Sequence, residues 1–520
     1  MLTVAEGRQQ GFFDASWCGG VVEPESFYGL LAEHGQRIVR DADFAPCYSE
    51  NRGRPSIPPS HLAKILLLAY REGASDEQAM ERVRFDLRWK VALGLPLDHP
   101  GYHATTLSRF RARLLLHGME RLALEGTIAL AAELGLLEGQ VEQIVDSTPM
   151  LGAAATQDTV RLVRGGVKKL IDAVAGADPQ AGGRLARGLA FGYARPRQKP
   201  ECDWRSKPAR ERMLTEVATD AERALRAVEG EDELMGADEV AEAHRLLREI
   251  VGQDFCVDED DVPRLRRGVA PGRILSLVDP EMRHGRKSSA TAFDGYKIHA
   301  AGPAAQPLIS AVEVGPGGEH DGRHAPALID QQPEPLRPER ILGDTAYGDQ
   351  TTREALAERG VDVLAPVPEP APREGRLPKS AFAVDLRAAT VTCPAEQVAP
   401  IPTHAQRSGE RVVRFAGAVC AACPLKARCC PGPAGRQVRL LRREDLAQAG
   451  RAALAEPGPR EHLRRTRPRL ERLLGLLARR YHARQSRYFG RRKALLQAAW
   501  SAALVNLHPI GAALRAQGAR

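Results

Sequence analysis

The sequence lacks the long apolar run that a membrane-spanning helix requires. Its most apolar windows, Ile65 to Tyr70 and Ala494 to Leu507, are too short or are interrupted by polar side chains. The segment Met1 to Gly20 also lacks a basic start followed by an apolar stretch, so it does not resemble a signal peptide. We therefore expect a cytoplasmic protein without a membrane partner.

A disulfide framework of the secreted type is also missing. Nine cysteines occur in 520 residues, and five of them lie between Cys393 and Cys430. In a cytosolic chain such clustering points to metal binding rather than to cross-links. Cys420 and Cys423, spaced as C-x-x-C, together with Cys393 and Cys429 predict a structural zinc site on loops. Two alternatives stay open: Cys430 as the fourth ligand, or buried inert thiols without zinc.

The sequence does contain an excess of positive charge. With 74 Lys and Arg against 66 Asp and Glu, the net charge is +8. This balance is typical of proteins with polyanionic partners, although it does not require one. The length, with 43% hydrophobic and 27% charged residues, predicts a globular protein of more than one domain.

Two short apolar segments each lead into an aspartate. Ile144 and Val145 precede Asp146, and the nearby Pro149 is expected to end the sheet ladder. A second segment, from Arg340 to Gly343, precedes Asp344. An acid at the end of a buried strand is unfavourable unless it is paired or binds a metal. For Asp146 alone, which precedes Ser147 and Thr148, an ordinary turn or a helix cap is the alternative. A mixed sheet would place the two strands side by side.

A third acid lies on a strongly basic helix near the C-terminus. The leucine spacing from Leu470 to Leu477 predicts a helix that packs on one face, with Glu471 at the edge of that face. Arg467, four residues earlier, lies on the same side as Glu471. Between Arg460 and Lys493, thirteen Lys and Arg stand against two acids. Glu471 is therefore either an ion-pair partner or a metal ligand, and the basic field itself suits a DNA backbone.

The order of the predicted elements is that of a mixed α/β fold with insertions. The helix that begins near Thr105 has a basic, hydroxyl-rich start, which is typical of helix-turn-helix modules and equally of a helical bundle with solvated charges. Stretches 173–183 and 257–263 are predicted to be linkers. The predicted organisation is an N-terminal helical DNA-binding domain (1–135), a first core segment (136–150), a helical insertion (151–284), a second core segment (285–370), a Cys-rich zinc-binding insertion (371–450) and a third core segment with basic C-terminal helices (451–510).

The three acidic stretches, in this order, resemble those of bacterial insertion-sequence transposases of the DDE class. The hairpin with Asp294-Gly295-Tyr296-Lys297 and the Cys-rich segment make the chain similar to the branch with an N-terminal helical transposase domain and a cysteine-bearing insertion before the glutamate. Arg464 and Ala478 stand where many relatives have the tyrosine and lysine of a signature around the glutamate. The resemblance covers about residues 50 to 507 and is most specific at 145–148, at 342–348 and in the run from Arg487-Tyr488-Phe489-Gly490 to Asn506-Leu507.

This resemblance implies an RNase H-like core, a mixed sheet flanked by helices, with Asp146, Asp344 and Glu471 as its catalytic triad. The triad would hold two Mg²⁺ ions, with Mn²⁺ as an alternative, for strand cleavage and strand transfer. The implied partner is double-stranded DNA, both transposon ends and target, bound by a homodimer or larger assembly at the nucleoid. The residues expected to contact DNA are Arg109, Arg113, Lys297, Arg467, Arg479 and Arg480.

Other acids and other functions compete with this interpretation. His320-Asp321 is better explained as a loop that enters a helix, Asp349 as a helix cap, and His284 as part of a phosphate-contacting basic loop. A catalytically silent DNA-binding protein would keep the basic surfaces and the zinc loop. An RNase H-like nuclease would share the acids but cleave without joining. A tyrosine or serine recombinase would leave the triad unused.

Overall fold

The fold is described from a computed structural model. The structure describes residues 2–3, 22–49, 55–137, 139, 142–194, 200–259, 262–288, 290–333, 336–369 and 376–518. Most of the segment Met1 to Gly20 lies outside these residues, as do Val141, at the start of the first predicted strand, and 371–375, at the predicted start of the Cys-rich insertion. Among the described residues, no helix combines the length and apolarity needed to cross a lipid bilayer.

The N-terminal region is helical, as predicted. Its helices are α1 (Phe27–Ile38), α2 (Pro59–Glu72), α3 (Asp76–Phe85), α4 (Leu87–Leu93), α5 (Thr105–Leu116) and α6 (Leu122–Glu133). Ser75 and Gln78 form a capping box that starts α3. Nearly every side chain of α2 is buried, so this helix forms the centre of the region rather than an exposed module.

The first strand leads into a helical insertion that has its own apolar core. The elements in this part of the chain are β1 (Glu142–Leu151), α7 (Thr159–Ala177), α8 (Pro179–Arg187), α9 (Lys207–Glu229), α10 (Asp232–Met235), α11 (Asp238–Asp254), β2 (Phe255–Val257) and β3 (Pro263–Leu265). Both predicted linkers are wrong in part. Most of the stretch 173–183 belongs to α7 and α8, which share Asp178 as a cap, and 257–263 joins β2 to β3 in an antiparallel pair.

The sheet resumes after the insertion and is mixed. Its further elements are β4 (Arg283–Arg286), β5 (Ala292–Pro303), β6 (Ala311–Pro316), α12 (Ala325–Asp330), β7 (Arg340–Leu342), α13 (Gln350–Ala357) and β8 (Asp362–Leu364). The strand order is β4-β5-β1-β7-β8, with β6 also paired to β5. β5 is antiparallel to β1, β4 and β6, whereas β7 is parallel to β1 and β8. The predicted mixed α/β class is confirmed, and this order is consistent with an RNase H-like sheet.

Pro149 does not end the ladder, contrary to the prediction. β1 continues to Leu151, and Pro149 pairs with Lys297 of β5. β7 pairs with β1 only as far as Ile144, so no strand lies on that side of Pro149. The N–H that proline lacks is therefore not needed for a ladder hydrogen bond there. The long β1 therefore carries Asp146 in its middle rather than at its end.

A second insertion and the C-terminal helices complete the chain. Their elements are β9 (Ala383–Asp385), β10 (Thr390–Thr392), β11 (Val398–Pro400), β12 (Arg411–Arg414), α14 (Gly417–Ala421), α15 (Lys426–Cys429), β13 (Gln437–Leu440), α16 (Glu444–Ala455), α17 (Pro457–Thr466), α18 (Pro468–Arg479) and α19 (Arg491–Gly518). One apolar cluster joins the N-terminal helices, one face of the sheet, α18 and α19. The N-terminal region and the sheet thus share a single core.

Candidate active site

Asp146, within β1, and Asp344, two residues after the end of β7, occupy matching positions relative to two neighbouring parallel strands. The pairing of β1 with β7 ends at Ile144 and Leu342, in a register in which each β1 residue faces the residue 198 positions later. Asp146 and Asp344 are themselves 198 positions apart. Each lies two residues beyond the last β1–β7 pair, so the register brings both residues to the same end of this pairing, where Asp146 still pairs with Ala300 of β5.

The C-terminal helices cover these strands on one face. Because side chains alternate along a strand, Asp146 shares its face with Ile144, which belongs to the same apolar cluster as Leu470 of α18. Leu342 of β7 packs with Leu463 of α17. Helices α17 and α18 therefore pack beside the two aspartates.

Glu471 lies beside the leucine stripe of α18. The stripe from Leu470 to Leu477 is buried as predicted, whereas the Glu471 side chain is 51% exposed. Arg467 Nη2 donates to Glu471 Oε1 at 3.2 Å, as the spacing of four residues predicts. The Nε of Arg467 is buried and has no hydrogen-bond partner among the described residues. The Nε side of this guanidinium therefore faces the interior of the protein.

The three carboxylates influence one another electrostatically. Burial raises the pKa of Asp146 to about 6, and the negative charges of Asp344 and Glu471 add to this rise. The backbone N–H of Ser147 and the positive charge of Arg467 act in the opposite direction without offsetting the burial. The structure thus brings the three predicted acids into one region, around a carboxylate that lacks a sufficient counter-charge.

Tyr347 is a residue of this region that the sequence reasoning missed. Its side chain is fully buried, and its hydroxyl has no hydrogen-bond partner among the described residues. Burial, together with the charges of Asp321, Asp146 and Asp344, raises its pKa well above the ordinary value. The ring folds back against Gly343, where a Cβ would lie 2.7 Å from the Tyr347 Cβ. The available signal was an aromatic residue three positions after Asp344.

Lys297 also lies here, but it is engaged within the protein. Its ammonium group donates to Asp321 Oδ1 at 2.6 Å and to the Glu319 carbonyl at 3.0 Å. The Lys297 side chain is only 14% exposed. A phosphate contact, as the sequence predicts for Lys297, would require these bonds to break. Asp321 begins the short helical turn that leads into α12, as the sequence predicts, and its carboxylate also accepts from the Lys297 ammonium group.

The three carboxylates are suitable ligands for a divalent cation, but their side chains are not arranged around a common point. Within the described ranges, no three His, Cys, Asp or Glu side chains converge closely enough to hold a metal ion. Asp146 Oδ1 accepts from the Ser147 N–H at 2.8 Å, and Asp344 Oδ1 accepts from the Ala346 N–H at 2.9 Å. Carboxylate oxygens are the ligands that Mg²⁺ prefers, and a buried acid with a raised pKa is stabilised by such a charge. Binding therefore requires the carboxylates to reorient.

The predicted DNA-contacting arginines differ in exposure. Arg467 is paired with Glu471, whereas the following arginines are exposed: Arg109, Arg113, Arg479 and Arg480. Arg111, on the same helix as two of these, turns inward and forms an ion pair with Asp76 at 2.6 Å. The four exposed arginines can therefore contact a polyanion directly, whereas Arg467 and Lys297 would first have to break their ion pairs within the protein.

The cysteines of the second insertion do not all lie together. Cys429 and Cys430 are buried in its small core, and Cys393 and Cys420 pack against that core. Cys423 is half-buried and outside this cluster. Burial and the neighbouring thiols of Cys420 and Cys429 raise the pKa of Cys430 to about 11. The structure therefore groups Cys430, the alternative fourth ligand, with the predicted zinc ligands.

Two family models match the chain. Residues 23–113 match a transposase domain (DUF772), which spans most of the N-terminal helices, and residues 392–510 match a transposase DDE domain, which contains α18 and Glu471. No curated protein and no solved structure matches the chain. A transposase domain is matched near each end, and the mixed sheet lies between them; together these matches support an insertion-sequence transposase of the DDE class.

Proposed function

We propose that this protein cleaves DNA at the ends of an insertion sequence and joins those ends to target DNA, with Asp146, Asp344 and Glu471 as its catalytic residues. The observation that supports this most is the raised pKa of Asp146 beside the other two acids. A perturbed buried carboxylate with like-charged neighbours is typical of a functional site rather than of a structural ion pair.

The carboxylates would act as cation ligands. Members of the DDE family normally use a divalent metal, which when bound would supply charge stabilisation to the attacking and leaving oxygens of the phosphate. Asp146 lies in a fixed strand, so it provides the rigid side of the site. Glu471 is on the exposed edge of α18 and is held by Arg467, so it provides the side that closes on the substrate.

The exposed arginines would bind the DNA backbone. Arg109 and Arg113 lie on α5, and Arg479 and Arg480 lie at the end of α18. Each phosphate that such a residue neutralises releases counterions and adds to affinity without sequence preference. Because two ends must meet in transposition, we expect at least two copies of the chain on DNA.

The triad is tested by strand cleavage on DNA that carries the sequences flanking the gene. Asp344→Ala and Glu471→Ala are expected to abolish Mg²⁺-dependent nicking and to leave DNA affinity nearly unchanged. Glu461→Ala is the matched control, because Glu461 is also an exposed glutamate paired with an arginine, Arg464. An active Asp344→Ala enzyme would remove that residue from the site.

The same reactions separate the other functions. A nuclease would release cleaved ends without strand-transfer products. A silent DNA-binding protein would retain the flanking DNA in a gel-shift experiment and would give no nicking with either Mg²⁺ or Mn²⁺.

The cysteine cluster is proposed to hold one structural zinc ion, which requires its thiols to move closer together than they lie in the structure. Four thiolates suit tetrahedral zinc, and four protein ligands leave no open position for a substrate. Cys420→Ser and Cys393→Ser are expected to lose the bound zinc, measured as metal per chain after dialysis. Comparison of Cys423→Ser, Cys429→Ser and Cys430→Ser identifies the remaining ligands and decides between Cys429 and Cys430. A wild-type chain purified without zinc that stays folded and active would contradict the proposal.

A further inference from the structure

A continuous chain of hydrogen bonds begins at Lys297. Its Nζ donates to Asp321 Oδ1 at 2.6 Å, and Asp321 Oδ2 accepts from Ser147 Oγ at 2.7 Å. The backbone N–H of Ser147 then donates to Asp146 Oδ1 at 2.8 Å. Both carboxylate oxygens of Asp321 are therefore used, one by a cation and one by the residue next to Asp146.

This chain is shielded from solvent. The side chains of Lys297 and Asp321 are 14% and 16% exposed. Charge-assisted hydrogen bonds in such surroundings are stronger than those on the surface. A second bond from Lys297 to the Glu319 carbonyl, at 3.0 Å, fixes the loop that carries Asp321. The Lys297 ammonium group is thus bound by two groups of one short segment, the Glu319 carbonyl and the Asp321 carboxylate.

Asp321 is a fourth carboxylate close to the triad. Its charge acts on the buried Tyr347 hydroxyl together with those of Asp146 and Asp344, so the three aspartates lie around the same ring. Without Lys297, Asp321 would add an uncompensated negative charge to a region that already lacks counter-charge. With Lys297, the same carboxylate is neutralised and is free to orient Ser147.

We propose that Lys297 and Asp321 are positioning residues of the active site, which fix the Asp146 carboxylate through Ser147, and that Lys297 does not contact DNA. This inference rests on the proposed function. It assigns to Lys297 a role that differs in a measurable way from the phosphate contact that its charge suggests.

A purely structural ion pair would give a different result. It would tie β5 to the loop before α12 and would change stability without a specific effect on the cation. Positioning of Asp146, in contrast, links the pair to metal affinity, because a displaced ligand weakens the site. The Mg²⁺ concentration for half-maximal cleavage and the rise in melting temperature on addition of Ca²⁺ both report this link.

The experiment compares Lys297→Met, Lys297→Arg, Asp321→Asn and the double variant Lys297→Met/Asp321→Asn in the full chain. We expect Lys297→Met to lower the cleavage rate by about 10²-fold, since small displacements of a catalytic group have effects of this size. It should also raise the Mg²⁺ requirement and reduce the Ca²⁺-induced shift. Lys297→Arg should keep most of the activity. The double variant should be no worse than Lys297→Met, because the uncompensated charge is then absent.

DNA binding supplies the decisive contrast. For Lys297→Met we expect unchanged affinity and an unchanged slope of log K against log salt concentration, whereas Arg479→Met, at an exposed position, should reduce the slope by about one. A reduced slope for Lys297→Met would identify a phosphate contact and overturn the inference. So would a wild-type metal response in a folded Lys297→Met variant. A wild-type protein without metal-dependent cleavage would reject the proposed function itself.

Discussion

Asp146→Asn is expected to lower strand cleavage by at least about 10³-fold and, at the same time, to make the metal-free protein more stable at neutral pH. The first effect follows from the loss of a cation ligand. The second follows from the pKa of Asp146, which is about 6 in the folded chain against an ordinary value of 3.8. The folded state therefore holds this proton more tightly than the unfolded state does.

The sign of the pH dependence follows directly. Below pH 3.8 the carboxyl group is protonated in both states and contributes no penalty. Between pH 3.8 and about 6 the unfolded state ionises first, so stability falls as the pH rises. Above pH 6 the full penalty of at most roughly 3 kcal/mol is present, and Asp146→Asn removes it. A divalent cation removes it as well, so added Mg²⁺ should stabilise the wild type more than the variant.

Denaturant unfolding in EDTA at pH 4 and pH 7.5, together with a nicking assay, checks both effects. The variant should gain stability over the wild type only at the higher pH. Asp385→Asn is the control, because Asp385 is exposed and lies on β9 of the Cys-rich insertion. If Asp146→Asn unfolded more easily than the wild type at pH 7.5 without metal, the account of its burial would be wrong.

Asn506→Leu is expected to destabilise the chain by roughly 2 to 6 kcal/mol, since two buried backbone groups would each lose a hydrogen bond worth about 1 to 3 kcal/mol. The Oδ1 of Asn506 accepts from the Ile309 N–H at 2.8 Å, and its Nδ2 donates to the Ile309 carbonyl at 2.8 Å and to Thr127 Oγ1 at 3.1 Å. This one fully buried amide joins α6, the segment before β6, and α19. A loss of this size is comparable to the whole stability of many domains.

Urea unfolding measures this loss, and Gln517→Leu is its control. Gln517 is an exposed amide on the same helix, so its replacement should have little effect on the unfolding midpoint. A wild-type midpoint for Asn506→Leu would mean that water or a rearranged Ile309 satisfies these groups. The functional prediction is loss of activity in proportion to the unfolded fraction rather than a specific loss of cleavage.

The sequence was sufficient for the parts of the site that local pattern determines. Strand signals before Asp146 and Asp344 predicted neighbouring strands, and the register of β1 with β7 agrees with that prediction. The leucine stripe of α18 placed Glu471 at the edge of the buried face, and the structure confirms that placement. Whether these three acids carry catalysis stays a prediction.

Local sequence pattern does not reveal the contacts that a residue makes elsewhere in the fold. The composition of the stretch 173–183 predicts a linker, yet Gly182 packs so closely on Ala175 that a Cβ would lie 2.5 Å from the Ala175 Cβ. The DNA contact predicted for Lys297 stays a prediction. The sequence does not show the ion pair of Lys297 with Asp321, since β6 and a loop separate the two residues in the chain.

Helices α2 and α19 share one apolar cluster although they are synthesised at different times, so the cluster can form only after α19 has been made. Side chains of α2, made early, are buried against the segment of α19 from Ala494 to Ile510, made much later. Until that segment leaves the ribosome, the apolar surface of the earlier helices stays exposed to solvent. A message cut short before Ala494 would therefore yield a polypeptide prone to degradation, not a shorter DNA-binding fragment that competes with the intact protein.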